Sequence, residues 1–183
     1  MANRTGTYFA FDGLGETDPL KSDFRYYATV QGWNAASHID FKFVNSHDKA
    51  SAVKDTSKRA TLEASIRERL AASKNMVVIL SEDTRTSGSM LSWEIEKAVD
   101  HYKIPLIIAY TGFNTIRKPA ELASRWPATL AERIRNRSAD AIHIPFKKDP
   151  MFDAISQFTV NSEKIGGPLS VYSDDAYRTW GLL

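Results

Sequence analysis

The chain has 183 residues, 43% of them apolar, with 24 Lys plus Arg set against 22 Asp plus Glu for a formal charge of +2. That length supports one compact domain with a real core, and that apolar fraction excludes a disordered chain. Near-balanced charge argues against a general nucleic-acid binder, and the absence of cysteine excludes disulfides, thiolate zinc sites and cysteine nucleophiles.

No apolar run approaches the roughly 20 residues needed to span a bilayer, and MANRTGTYFAFDG lacks the apolar core of a signal peptide. The expectation is a cytoplasmic protein with no membrane contact. The one basic cluster, Arg133 to Arg137, reads as a solvated face at the end of a helix.

In chain order, Thr5 to Asp12 reads as a first strand broken by Gly13 and Gly15, followed by an acidic loop through Glu16, Asp18 and Pro19. Lys21 to Trp33 has helical character and should end near Gly32. Ile39 to Val44 alternates, as a strand near a sheet edge does. Asn45 to Asp55 is a polar loop, and Ser57 to Ala72 is a helix with Leu62, Ile66 and Leu70 on one face.

Met76 to Leu80 is apolar without alternation, which predicts a strand covered on both faces. A polar loop from Ser81 to Ser89 leads into a helix with Leu91, Ile95, Ala98, Val99 and Tyr102 in one stripe, and Glu94 in its first turn at the stripe's edge. Ile104 to Tyr110 is a further buried strand, Gly112 to Arg125 is irregular, and Pro127 opens a helix through Leu130 and Ile134. Ala141 to Phe146 is the fifth strand, and a short helix opens at Asp149-Pro150. Strands alternating with helices predict an α/β, flavodoxin-like three-layer sandwich on a five-stranded parallel sheet. The domain spans 1–160. Residues 161–183, with Tyr172, Tyr177 and Trp180, form a tail that docks on the domain or on a partner.

Several residues carry both a chemical and a structural interpretation. Glu94 lies just past the carboxyl end of a central strand, where open α/β sheets keep their ligands. A carboxylate there can stabilise an oxocarbenium-like centre, and a glutamate in a first helical turn is also favoured by the helix dipole alone. Asp12 either shares a site with Glu94 or caps a turn. Phe9 and Phe11 share one face, as core residues or as stacking surfaces. Trp93 points away from the stripe, towards another element or a second chain. The Gly13/Gly15 pair is no dinucleotide fingerprint, and neither a Walker sequence nor a nucleophile elbow is present. His38, His47, His101 and His143 have no ligand spacing, so no metal site is expected.

The segment TSGSMLSWEIEKA (Thr86 to Ala98), with Trp93-Glu94-Ile95 opening the helix, together with the opening strand Phe9-Ala10-Phe11-Asp12, resembles the TIR-like domains of the Thoeris ThsB type, over roughly Thr5 to Phe146. That resemblance implies a bacterial antiphage-defence protein that acts on NAD as substrate and needs no cofactor. Such proteins break the nicotinamide–ribose bond, and some cyclise ADP-ribose into a diffusible signal for a downstream effector. It also implies homo-oligomeric assembly. Glu94 is the glutamate carried over as catalytic. Phe9, Phe11, Asp12, Asn45, Ser87 and Met90 are the implied substrate-binding residues, with the Asn45–Asp55 loop as a lid. Met90 stands where the family has a tryptophan, which keeps the apolar contact without the ring. Two alternatives belong to other classes: a non-catalytic TIR-like interaction module, and a nucleoside deoxyribosyltransferase-like enzyme using a covalent carboxylate.

Overall fold

Five short apolar runs separated by amphipathic segments can hide their backbone and side chains together only as a sheet with helices on both faces. The structure, a computed structural model, describes residues 4–15, 22–37, 43–44, 56–162 and 164–183 and has this architecture. The strands are β1 (Gly6–Ala10), β2 (Phe43–Val44), β3 (Ser73–Leu80), β4 (Leu106–Tyr110), β5 (Ala141–Pro145) and β6 (Ser170–Val171). They lie in the order β2-β1-β3-β4-β5-β6, and every pairing is parallel. The five expected strands form the flavodoxin-like sheet. The sixth is a two-residue addition from the tail, which pairs Ser170 and Val171 with Ile142 and His143.

The helices are α1 (Phe24–Ser37), α2 (Thr56–Ala71), α3 (Met90–Glu96), α4 (Ala128–Arg135), α5 (Lys148–Gln157) and α6 (Asp174–Thr179). Period-2 alternation along the strands divides the core into two layers. Tyr8, Ala10, Met76, Val78, Leu106 and Ile108 meet α2, α3 and α4 through Leu62, Ile66, Leu91, Ile95 and Leu130. Phe9, Phe11, Val77, Ile79, Ile107 and Ile144 meet α1 and α5 through Tyr27, Val30, Met151 and Ile155.

Three local expectations are corrected. The helix from Leu91 to Tyr102 is two pieces: α3 ends at Glu96, and Lys97–His101 is a π-helical turn. That wider turn brings the carbonyl of Ala98 to the N–H of Ile104 at 2.9 Å and steers the chain into β4. The helix expected to end near Gly32 continues to Ser37, because Tyr27 and Val30 are held in the core and one glycine costs a helix only about 1 kcal/mol. Part of the segment expected to be irregular is a 3-10 helix, Pro119–Arg125.

β3 also begins three residues before its apolar run. Buried Asn75 there has its polar groups matched: its Oδ1 accepts from Thr7 Oγ1 at 2.8 Å, and its Nδ2 donates to the carbonyls of Ile155 and Phe158 at 2.9 and 2.8 Å. This ties β1 and β3 to the end of α5.

The tail packs on the body. Tyr177 is fully buried, and its hydroxyl accepts from the Ile116 N–H at 3.2 Å and donates to the Ile116 carbonyl at 3.1 Å. Tyr172 donates to Asp153 at 2.6 Å and meets Trp180 edge to face at 4.9 Å. A buried chain of bonds reaches the tail at Pro168: Trp126 Nε1 donates to the Tyr110 hydroxyl at 2.7 Å, which bonds His143 Nδ1 at 2.7 Å, while His143 Nε2 reaches the Pro168 carbonyl at 2.8 Å.

Candidate functional site

α3 starts at Met90, with Ser89 in extended backbone before it, so Glu94 is the fifth helical residue and lies beyond the first turn. The helix-dipole explanation of this glutamate therefore falls away, since the dipole acts within the first turn. At about 100° per residue, Leu91, Glu94, Ile95 and Ala98 share the face that packs on the sheet, and all four are buried. A carboxylate in an apolar layer needs a donor. It has one from β1: the hydroxyl of Tyr8, itself fully buried, donates to Glu94 Oε1. Burial, and then the charge of Glu94, push the Tyr8 phenol well above its ordinary range, against a smaller pull from Arg69.

Phe9 and Phe11 do not join Glu94. They lie in the other layer, where Phe9 meets Tyr27 at 5.5 Å and Phe11 stacks on Tyr27 at 5.8 Å. Alternation puts them on the face opposite Tyr8, so they are core residues beside α1.

Asp12 follows the second of its two readings: it caps a turn, and its charge partner is Arg85 and not Glu94. Its buried carboxylate takes the Arg85 guanidinium on both oxygens, with Nη2 to Oδ1 at 2.7 Å and Nε to Oδ2 at 3.0 Å. It also accepts the backbone N–H groups of Arg85 and Leu14, each at 2.9 Å. Directly after the latter bond the chain turns with positive φ at Leu14 (54°) and Gly15 (73°). Burial alone would raise the Asp12 carboxyl, but the Arg85 contacts outweigh it and hold it below its usual range. The loops after β1 and β3 are thereby joined at the carboxyl edge of the sheet.

Asp23 belongs to the same edge. Thr84 Oγ1 accepts from the Ser81 N–H at 2.8 Å and donates to Asp23 Oδ2 at 3.2 Å. Burial pushes Asp23 up to about 6, against bonds from Ser81 and Thr84 that pull it down, and the nearby charge of Asp12 adds to the rise.

Ser87 is exposed in the β3–α3 loop, and Met90 is half-buried one helical turn before Glu94, packed on the same core layer. Asn45 and the rest of the 45–55 loop lie outside the described residues, as do His38, His47 and the loop through Asp18 and Pro19. Trp93 packs against another element: the Arg67 guanidinium of α2 sits 5.4 Å over its ring, with Lys97 at 5.7 Å. Arg133, expected on a solvated face, is buried and forms a two-pronged ion pair with Asp100 of the π-helical turn, Nε to Oδ1 at 3.0 Å. Arg135 and Arg137 are exposed.

Among the described residues no group of three or more His, Asp or Glu side chains could hold a metal ion, and no helix is long and apolar enough to cross a membrane. A cleft of about 290 Å³ opens beside Phe113, Ile116 and Leu122, after β4, and none of its lining residues is Glu94 or a neighbour named above as substrate-binding.

Tyr8, Arg85 and Asp23 belong to the site without being marked by a sequence motif. A signal for Tyr8 was present, since strand alternation puts it on the face that Phe9 does not occupy. Nothing local marks Arg85 or Asp23 as partners of their neighbours. With this geometry in place, the family model for the TIR-like domain of the Thoeris protein ThsB matches residues 8–116, from Tyr8 in β1 to the loop after β4.

Proposed function

Because the chain belongs to the ThsB TIR-like domain family of the Thoeris antiphage-defence system, we propose that it processes NAD by breaking the bond between nicotinamide and ribose. The observation that supports this most is Glu94: an acid in the apolar layer, past the helix's first turn, held by a hydroxyl from β1 inside the matched segment.

The C1′–N bond breaks heterolytically, and the electron pair leaves with nicotinamide, which departs neutral. The positive charge stays on the sugar as an oxocarbenium-like centre, which the Glu94 carboxylate stabilises while it binds a ribose hydroxyl. Water then attacks C1′ and loses a proton, giving ADP-ribose. Attack by a nitrogen of the adenine base of the same molecule would instead give a cyclic product, a diffusible signal for a downstream effector. Met90, one turn before Glu94, supplies an apolar wall for nicotinamide. Ser87, in the exposed loop, contacts the more polar part of the substrate, and assembly of two or more copies completes the site. Phe9 and Phe11 lie in the layer opposite Glu94 and pack on Tyr27, and Asp12 acts through Arg85 to shape the loops.

The complete burial of Glu94 also favours a second reading, a non-catalytic interaction module in which Glu94 is a structural acid. The purified chain incubated with NAD, alone and with phage-infected lysate, separates the two by mass spectrometry of released nicotinamide. Wild type should release it, and Glu94→Gln, which keeps an acceptor for Tyr8, should release it at least about 100-fold more slowly. Equal rates, or no nicotinamide under either condition, would overturn the enzyme reading. A ribosyl adduct on Glu94 would instead indicate transferase-like covalent chemistry.

A further inference from the structure

We propose that Tyr8 is a positioning residue for the reaction: its hydroxyl, delivered from β1, holds the Glu94 carboxylate in the orientation that meets the sugar cation. This inference rests on the NAD reading above. A glutamate side chain has three rotatable torsions, and the backbone of α3 by itself does not set the orientation of the carboxylate. Tyr8 is anchored more firmly. It lies between β2 and β3, in register with Val44 on one side and Met76 on the other, and its ring is fully buried. The layer that the pair occupies, with Ala10, Met76, Leu91 and Ile95, is apolar, where a charge-assisted hydrogen bond is strong and directional. Burial, and then the charge of Glu94, favour the protonated phenol, which is the donor form. Tyr8 does not touch the reacting atoms, and its effect passes through Glu94.

The test is Tyr8→Phe, which removes the hydroxyl and keeps the ring. In steady-state NAD turnover kcat should fall about 10- to 100-fold while KM stays within about twofold, the pattern of a lost transition-state interaction. With glutamate labelled at its carboxyl carbon, the Glu94 resonance, identified by its loss in Glu94→Gln, should move in Tyr8→Phe. An unchanged kcat, or an unmoved resonance, would overturn the proposal. If wild type releases no nicotinamide, the NAD reading fails by itself, and the carboxyl resonance decides alone whether Tyr8 orders Glu94: movement supports it and its absence overturns it. Should Tyr8→Phe fail to fold, a fluorinated tyrosine at position 8 keeps the hydroxyl and makes it a stronger donor. The same resonance should then shift, and no shift would overturn the proposal.

Discussion

Asp12 and Arg85, 73 residues apart, meet in a two-pronged ion pair that joins the loop after β1 to the loop after β3. The Asp12 side chain is fully buried and the Arg85 side chain is 42% exposed, so solvent screens the pair from the arginine's side only. Removing Arg85 leaves Asp12 buried with only its backbone donors. Arg85→Ala should cost about 1–3 kcal/mol in urea unfolding and speed proteolysis within residues 81–89. Asp12→Ala should cost a similar amount, and the double variant less than the sum of the two. Strict additivity would show that the pair is not coupled.

Asn75 is a second non-local tie, and its chemistry is asymmetric. Its amide nitrogen donates to two carbonyls, at 2.9 and 2.8 Å. Asn75→Ala should cost about 2–3 kcal/mol by stranding them. Asn75→Asp should cost more, although it is nearly isosteric, because a carboxylate oxygen would then face those carbonyls. The order of the two urea midpoints checks this.

Two buried groups oppose each other in acid. Asp23 is raised from 3.8 to about 6 in the fold, mainly by burial. The native state therefore keeps a proton that the unfolded chain releases, and this contribution is full below 3.8 and lost as pH rises through 6. His143 is lowered from 6.5 to about 4 by burial, with the Pro168 carbonyl opposing. Its contribution is full above 6.5 and lost as pH falls through 4. Each is worth on the order of 3 kcal/mol at most, so the two slopes cancel over the shared range. In Asp23→Asn, relative to wild type, stability should rise with pH between 4 and 6; in His143→Gln it should fall over the same range. Parallel pH curves for all three proteins would refute the assignment.

Tyr177 fastens the tail through both backbone groups of Ile116. Tyr177→Phe keeps the buried ring and loses both bonds, so the expected loss is about 1–2 kcal/mol, or about 2–6 °C in Tm. Hydrogen exchange at the Ile116 amide should rise in the same variant, and an unprotected amide in wild type would count against the contact.

Much of the fold was legible because its signals are local. The unbroken apolar run Met76 to Leu80 and the stripe Leu91-Ile95-Ala98 follow from the two side-chain periods, so β3, the α3 face and the α/β class could be read from the chain. The π-helical turn could not, because it depends on how Ala98 and Ile104 close onto β4.

The sequence by itself determined the order of the first five strands and the helices between them, the parallel sheet, the alternation of β1 and the nomination of Glu94. Only the tertiary structure decided on which side of the sheet each residue of β1 lies. Alternation makes Tyr8 and Phe9 opposite but cannot say which of them faces α3, because that depends on which helix covers which face. The same holds for each charged partner. Glu94 with Tyr8, Asp12 with Arg85 and Asp100 with Arg133 are pairs that loop closure brings together over tens of residues, and no spacing rule reaches that far.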